Sequence, residues 1–336
     1  MLERDAVALA QLPRALHGNR RTMLPLARAL ARNSPTLART YTRAARRAVA
    51  RERDLDAVVQ LGAGYLLPHG FPLVTYEDMT ILQAHDVGYP EWRSLSRSAL
   101  RSRIDLQRRV YARADACCAT THWAASSIVD DYGVAPEKVH VVGVGRNHTI
   151  EPPAGRDWST PRYLFVGWDW ERKNGPAIVR AFAEVRRAIP GATLDLVGRH
   201  PRVDAPGVTD HGVLRLTVPA DRQRAEELYG RATCFVMPSH CEPSALAYVE
   251  AARAGLPSIG TTVGGSSDLI GDGGCVIDPK DTGALLASML ELADPDRAAS
   301  AGEAARQHSE RFTWPLVAAR LLRALGHTTE PRVAFL

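Results

Sequence analysis

The sequence has no long apolar run. None of its hydrophobic stretches approaches the roughly 18 to 20 residues that a membrane-spanning helix needs. Residues 1–16, MLERDAVALAQLPRAL, place charges among the apolar positions, so they lack the uninterrupted apolar segment of a signal peptide. We therefore expect a cytoplasmic protein.

Cysteine is scarce as well, with 5 in 336 residues and none in C-x-x-C spacing. Histidine and cysteine never cluster at the spacing typical of zinc sites. A nucleophile elbow of the form G-x-S-x-G is missing too, and no Ser, His and Asp set stands out. We expect no metal, and buried free thiols rather than disulfides, at the five cysteines: Cys117, Cys118, Cys234, Cys241 and Cys275.

Positive charge is concentrated near the start of the chain. The formal net charge is only +5, but arginines crowd residues 14–53, with apolar residues between them at helical spacing. This pattern predicts amphipathic helices whose basic faces are solvated. A face that contacts an anionic membrane or an anionic acceptor remains an alternative, with peripheral attachment at the inner face of the membrane. Interleaved aromatics and nucleic-acid motifs are missing, so we do not expect a nucleic-acid partner.

Short apolar runs alternate with helical patterns along the rest of the chain. Such alternation is typical of βαβ units and parallel sheets. The strand-like runs are DAVVQLGAGYLL, PLVTYEDMTI, ADACCATT and KVHVVGVG in the first half, and RYLFVGWDW, ATLDLVGRH, CFVMPSH, PSIGTT and GGCVIDP in the second. Helices are predicted between them, at about 92–114, 176–188, 220–232, 244–254 and from 281. The fold class is therefore α/β, with two doubly wound, Rossmann-like domains facing a cleft.

The domain boundaries follow from composition. Residues 150–161, IEPPAGRDWSTP, are rich in proline and polar residues, as an interdomain linker would be. We expect an N-terminal domain at 1–155, a C-terminal domain at 156–312, and a terminal helix and tail at 313–336 that packs back on the first domain.

Three strand-to-helix loops of the second half carry suggestive chemistry. In VGWDWERKNG, a strand ends at Gly167, and Arg172 and Lys173 precede a helix that Pro176 opens. In MPSHCEPSALAYVE, Pro243 is expected to open the next helix. In TTVGGSSDLI, two glycines leave backbone amides bare before a helix near residue 266. Helix N-termini and nearby cations favour anions, so three such loops at one sheet edge predict a diphosphate pocket.

The second half also resembles a known family. LFVGWDWERKNG, ATLDLVG, HGVL, LYGRATCFVMPS, CEPSALAYVEAARAGLP, TTVGGSSDLI and GGCVIDP occur in the order seen in the C-terminal domain of family-four retaining GT-B glycosyltransferases. The resemblance covers about residues 118–325, and its most specific part is the E-x7-E pair, Glu242 and Glu250. It implies an enzyme that moves a sugar from a nucleotide-diphosphate sugar, most simply UDP- or GDP-linked, to a hydroxyl acceptor.

The resemblance also implies roles for particular residues. Glu242 would lie by the donor sugar, Glu250 would bind the ribose hydroxyls, and Lys173 with a nearby arginine would hold the diphosphate. The family usually has that arginine directly after the strand-ending glycine, but Trp168 follows Gly167 here, so Arg172 is the substitute. Further donor contacts would come from the loop and helix start after Glu242 and from backbone groups near two other loops: Gly167, Ser244, Ala245, Leu246, Arg199 and Val213. Ala245 stands where the family usually has a glycine.

The first half departs further from the family. Its opening residues offer no strand followed by a glycine-rich loop, so the N-terminal domain is expected to be shortened. VTYEDMT resembles the family's strand ending in a His-Asp pair, with Glu77 at the histidine position and Asp78 at the aspartate position. A separate His85 follows. We expect Asp78 or His85 to contact sugar or acceptor, although an ordinary structural histidine is an equal alternative for His85.

The expected chemistry needs no metal. The Asp54-Leu55-Asp56 string resembles the D-x-D of other glycosyltransferase folds, but it precedes a strand instead of ending one. LGAGYLLPHG breaks the dinucleotide fingerprint, which disfavours a Rossmann oxidoreductase. An epimerase of the same two-domain fold is disfavoured by the E-x7-E pair. A GT-B-like protein that binds a nucleotide sugar or a partner without catalysis is the main alternative. The hydroxyl acceptor could be a saccharide, a lipid-linked molecule or a small molecule.

Overall fold

The structure, a computed structural model, describes residues 29–52, 55–148, 150–153 and 155–326. The first part of the basic stretch, residues 14–28 together with Arg53, lies outside the described residues, and so does Asp54 of the D-L-D string. The chain divides into two units, one formed by Met1–Gly143 with Ala318–Leu336 and the other by Val144–Val317. Each unit has its own hydrophobic core.

The first unit contains a parallel sheet of four strands in the order β1-β2-β3-β4. The strands are β1 (Val58–Leu61), β2 (Leu73–Glu77), β3 (Ala116–Ala119) and β4 (Val139–Val141). Helix α1 (Pro35–Val49) precedes β1 and α4 (Arg97–Arg113) precedes β3, with two short helices, α2 (Ile81–Asp86) and α3 (Pro90–Arg93), after β2. Helix α5 (His122–Asp130) follows β3. All four residues of β3, ACCA, are buried, as expected for a strand covered on both faces.

The second unit contains a parallel sheet of six strands in the order β10-β9-β8-β5-β6-β7. Its strands are β5 (Arg162–Gly167), β6 (Thr193–Gly198), β7 (Val208–Asp210), β8 (Cys234–Val236), β9 (Ser258–Thr261) and β10 (Gly274–Ile277). The helices between and after them are α6 (Gly175–Ala188), α7 (Pro219–Arg231), α8 (Leu246–Arg253), α9 (Ser266–Ile270), α10 (Thr282–Glu291) and α11 (Pro295–Ser309). Helix α12 (Trp314–Ala324) contains the residue at which the chain returns to the first unit.

The predicted fold class is confirmed, because both sheets are parallel and helices alternate with strands. The five cysteines are free, four of them buried and Cys275 partly buried. Two element boundaries were predicted wrongly. The strand of PLVTYEDMTI ends at Glu77, because Thr80 caps α2 in a capping box with Gln83. The helix of CEPSALAYVE begins at Leu246 and not at Pro243.

Candidate donor site

The loops that follow β5, β8 and β9 place the candidate residues at one edge of the second sheet. In a parallel sheet the carboxyl ends of neighbouring strands share an edge, and ligands of open α/β sheets bind there. Strands β5, β8 and β9 are adjacent in the sheet order. Arg172 and Lys173 follow β5, Glu242 follows β8, and Gly264 follows β9.

Glu242 is the centre of a buried ionic cluster. Its side chain is only 7% exposed, and its Oε2 accepts hydrogen bonds from Lys173 Nζ, from Arg172 Nη1 at 3.4 Å and from Ser239 Oγ at 3.3 Å. Arg172 also donates to the carbonyl of Cys241 at 2.9 Å. The Arg172 Nε also lies 3.5 Å from Oδ2 of the exposed Asp169, so two cations stand beside two carboxylates at this edge, and both cations offer charged N–H donors to an anionic group.

The backbone around Glu242 is held by the loop that follows β9. The Glu242 amide donates to the Val263 carbonyl at 2.9 Å, and the Gly265 amide donates to the Glu242 carbonyl at 2.9 Å. Between them Gly264 adopts φ +116°, and a Cβ there would lie 2.2 Å from the Glu242 carbonyl oxygen. Only glycine fits at this position, so Gly264 allows the two loops to approach closely.

The cations are positioned by the start of α6. Asn174 adopts a left-handed conformation, φ 59°, and its side chain donates to the Pro279 carbonyl at 2.8 Å. This bend directs the preceding Lys173 towards Glu242. Burial lowers the pKa of Lys173 from its ordinary value, and the Glu242 carboxylate acts in the opposite direction. No side chain caps α8, so its first amides are left for other acceptors, whereas the Gly175 amide of α6 already donates to the Trp170 carbonyl at 3.0 Å and Pro176 has no amide hydrogen.

Glu250 lies in α8 and lines a small apolar cavity. Burial alone raises the pKa of its carboxyl group to about 7. The cavity has a volume of about 80 Å³. Tyr229 also lines it, and its buried hydroxyl has no hydrogen-bond partner among the described residues. The remaining lining is mostly aliphatic and includes Leu164, Val166, Val197, Leu214 and Leu228.

Trp168 and Arg199 mark the exposed side of the same sheet edge. Trp168, directly after β5, is 62% exposed, and the guanidinium carbon of Arg199 lies 5.8 Å from its ring centroid. Arg199 directly follows β6, and Val213 is 40% exposed beyond β7. Gly167 is tightly enclosed, since a Cβ there would lie 2.5 Å from Phe165. Ser244, Ala245 and Leu246 are partly buried at the start of α8.

The candidate residues of the first unit lie after β2. Asp78 is exposed directly after the strand, and the half-buried His85 of α2 has its Nδ1 3.0 Å from Asp86 Oδ1. Glu77, at the position of the family's histidine, is buried and accepts a hydrogen bond from Gln107 Nε2 at 3.0 Å. Burial raises the pKa of Glu77 to about 8. Glu77 therefore belongs to the interior of the first unit, while Asp78 is open to solvent.

The sequence analysis named the charged candidates at this sheet edge but not the residues that contact them. Ser239 and Gly264 both contact Glu242, and Tyr229 adds a polar group to the Glu250 cavity. The glycines of TTVGGSSDLI were predicted to leave backbone amides bare, and the sequence did not indicate that one of them allows two loops to pack closely. No local pattern distinguished Ser239.

Among the described residues no group of three or more His, Cys, Asp or Glu side chains could hold a metal ion. None of the described helices is both long and apolar enough to cross a membrane.

Family models match both halves of the chain. Residues 6–149 match the family described as Glycosyltransferase Family 4, and residues 160–294 match that described as Glycosyl transferases group 1. A GDP-mannose-dependent alpha-(1-6)-phosphatidylinositol monomannoside mannosyltransferase of Mycolicibacterium smegmatis is 27% identical over 277 residues, 74% of this chain and 70% of that protein. A D-inositol 3-phosphate glycosyltransferase of Thermobispora bispora is 30% identical over 258 residues, 67% of this chain and 58% of that protein. The chain thus spans little more than half of the second relative.

Solved structures show the same fold. A sucrose-phosphate synthase from Thermosynechococcus elongatus superposes with a TM-score of 0.65 at 19% identity, covering 86% of this chain and 76% of that one. WaaG, a glycosyltransferase involved in lipopolysaccharide biosynthesis, gives a TM-score of 0.56 at 17% identity, covering 90% of this chain and 96% of that one.

Two Rossmann-like units with parallel sheets, together with these superpositions, show the GT-B fold. Within that fold class the chain belongs to the family-four-like glycosyltransferases.

Proposed function

We propose that this chain transfers a sugar from a nucleotide-diphosphate sugar to a hydroxyl acceptor, with retention of the anomeric configuration and without a divalent metal. The observation that carries the proposal is the Lys173–Arg172–Glu242 cluster at the carboxyl edge of the second sheet. The main barrier to such a reaction is departure of the diphosphate from an oxocarbenium-like sugar. Fixed positive groups beside the leaving oxygen stabilise that charge as it develops.

Lys173 and Arg172 supply the charge that a metal provides in other enzymes. A bound diphosphate would accept from both cations and from the uncapped amides at the start of α8. Glu242 would then face the donor sugar, accept from its hydroxyls and keep the two cations in place. Gly167, Ser244, Ala245 and Leu246 would provide close backbone contacts to the donor. No side-chain nucleophile is assigned, since a phosphate oxygen of the donor would take the acceptor proton.

Glu250 would bind the ribose hydroxyls, and the adjoining cavity would hold part of the nucleoside. The apolar lining suits the flat face of a base, and the Tyr229 hydroxyl offers one unpaired polar group. Backbone groups near Arg199 and Val213 would contact the base edge. We propose a UDP- or GDP-linked donor. The mannosyltransferase relative is GDP-mannose-dependent by its description, which makes a GDP-sugar the first donor to test.

The acceptor would bind to the first unit. In this proposal residues 1–155 form the acceptor domain, 156–312 the donor domain and 313–336 the terminal helix and tail. Asp78 is exposed and charged at the end of β2, and His85 follows in α2, so both can contact a hydroxylated acceptor. We also propose a bacterial protein of the cytoplasm, with residues 14–53 able to contact the anionic inner face of the membrane.

Activity on a donor panel tests the proposal. The purified chain is incubated with UDP-, GDP-, ADP- and TDP-sugars in the presence of a chelator, and release of nucleoside diphosphate is followed. A ligand at 100 times its dissociation constant should also stabilise the fold by about 2.7 kcal/mol, which identifies the base by thermal shift. The product's anomeric proton coupling reports retention. If the chain binds a donor but neither hydrolyses nor transfers it across a broad acceptor panel, a binding protein is the better assignment.

The two glutamates provide an internal test. Glu242→Gln should keep nucleotide affinity and lose turnover, because the sugar is not part of the free nucleotide. Glu250→Gln should weaken the binding of free nucleotide itself. Equal effects of both changes on free nucleotide affinity would contradict the proposed division of roles.

A further inference from the structure

Helices α1 and α4 enclose an arginine-lined groove in the first unit that the proposed transfer does not use. Its volume is about 400 Å³. Five guanidinium groups line it, three from α1 and two from α4: Arg39, Arg43, Arg46, Arg103 and Arg109. Thr42 and Ser102 add hydroxyl groups to the same walls.

Acidic residues do not balance this charge. Helix α1 contains no aspartate or glutamate, and α4 contains only Asp105, which pairs with Arg108 at 3.4 Å. Within the described part of the chain, none of the five groove arginines forms an ion pair. Arg39 and Arg43 are four residues apart on one helix face, a spacing at which like charges destabilise a helix. The groove therefore holds positive charges that repel one another and that the fold itself does not require.

Arg103 provides a second and independent observation. It is only 5% exposed, its Nη1 donates to the Gly64 carbonyl at 3.0 Å, and its buried Nε has no hydrogen-bond partner among the described residues. Burial lowers the pKa of Arg103 to about 10, with no carboxylate acting against it. A buried guanidinium usually has an anionic partner, because an unpaired buried charge is costly. Arg103 lines the floor of the groove without one.

We propose that the groove between α1 and α4 binds a phosphate-bearing ligand. Guanidinium groups form paired hydrogen bonds with phosphate oxygens, and a phosphate in the groove would satisfy the Arg103 Nε while neutralising Arg39 and Arg43. Five arginines around about 400 Å³ suit a ligand that carries two phosphates, or one phosphate on a polar body. Such a group can belong to a soluble phosphate or to a phospholipid headgroup.

The test compares two charge-matched double variants of the full chain. Arg39→Ala with Arg43→Ala removes two groove arginines. Arg47→Ala with Arg101→Ala removes two exposed arginines from the same helices that do not line the groove. The probes are inorganic pyrophosphate, followed by calorimetry, and vesicles of phosphatidylcholine with and without phosphatidylglycerol, followed by cosedimentation. All four positions are exposed, so both variants should fold.

Binding of pyrophosphate that weakens at least tenfold in the groove variant, and is unchanged in the control variant, supports a soluble phosphate ligand. Vesicle binding that follows the same pattern, without pyrophosphate binding, supports a phospholipid headgroup. Equal losses in the two double variants overturn the proposal, because they indicate a nonspecific basic surface. Pyrophosphate binding that is lost only in Lys173→Ala also overturns it, as does binding of a single-stranded oligonucleotide in place of both probes.

Discussion

At the scale of single residues, the pairing of Lys173 with Glu242 makes two properties depend on one ammonium group. Lys173→Ala removes a diphosphate ligand, so the affinity for UDP or GDP should fall tenfold or more, as expected from the roughly 1.5 to 3 kcal/mol of a charged hydrogen bond. It also leaves the buried Glu242 with fewer partners, which should lower the free energy of unfolding by about 3 kcal/mol. Calorimetry and urea unfolding measure the two effects.

A second substitution separates the effects. Glu242→Gln added to Lys173→Ala removes the unpaired charge, so it should restore part of the stability and none of the nucleotide affinity. Arg180→Ala, an exposed change on α6, is the control and should leave both unchanged. A folded Lys173→Ala protein with wild-type nucleotide affinity would rule out the donor site.

The raised pKa of Glu250 makes donor binding depend on pH. Ribose hydroxyls donate most strongly to a charged carboxylate, but burial keeps this carboxyl group protonated up to about pH 7. Affinity for a nucleotide sugar should therefore fall as the pH drops from 8.5 towards 5.5, by roughly tenfold per unit at most below the pKa. Calorimetry across that range measures it, and Glu250→Gln should flatten the profile. Glu227→Gln, on the exposed side of α7, should keep the wild-type profile.

The sequence indicated candidate residues for the site but not how they are arranged in space. Glu242 and Glu250 were recognised by an eight-residue spacing, which is a local pattern. The contact of Glu242 with Lys173 joins loops 69 residues apart, and only strand order brings such loops together. The raised pKa of Glu250 depends on a cavity lined by several elements, so no sequence window contains it.

At the scale of elements, the crossing of the loops after β8 and β9 depends on Gly264. Gly264→Ala would place a methyl group 2.2 Å from the Glu242 carbonyl oxygen at a φ of +116°. We expect this change to lower the free energy of unfolding by more than about 1 kcal/mol and to reduce turnover of a nucleotide sugar, because Glu242 must move. Gly230→Ala, in α7 with open space around it, should leave stability unchanged or raise it by up to about 1 kcal/mol. Equal stabilities of the two variants in urea would contradict this account.

The elements themselves were largely predictable, with failures that have physical causes. Strands such as β3 and β8 are short, fully buried apolar runs between helical patterns, and these signals are strong. Strand β7 was missed because its three residues, VTD, are partly buried or exposed and carry no apolar run. The start of α8 was placed too early because proline suits a first helical turn, whereas Pro243 here follows a residue whose backbone pairs with the next loop.

At the scale of the whole molecule, each unit contains one glutamate whose pKa is raised by loss of solvent. Glu77 in the first unit has a pKa of about 8 and Glu250 in the second about 7. Both are protonated in the folded state at pH values where the unfolded chain is already ionised. The stability that results is fully present below about pH 4.5 and is lost as the pH rises through the two folded pKa values.

Unfolding at a series of pH values tests whether these two glutamates make the stability of each unit depend on pH. Urea unfolding should become progressively easier between pH 5 and 9. Glu77→Gln should weaken the dependence in the transition of the first unit, and Glu250→Gln in that of the second. Asp130→Asn, an exposed change in the first unit, serves as the control and should leave the dependence in place. A pH dependence that neither glutamine variant reduces would assign it to other groups.

The exposed indole of Trp168 makes the donor site optically observable. It is 62% exposed, lies against the Arg199 guanidinium and follows β5, in the loop that leads to the cations. Nucleotides absorb near the excitation band of indole and quench its emission when they stack on it. Occupancy can therefore be read from intrinsic fluorescence without a label, with Trp168→Phe giving the baseline of the other five tryptophans.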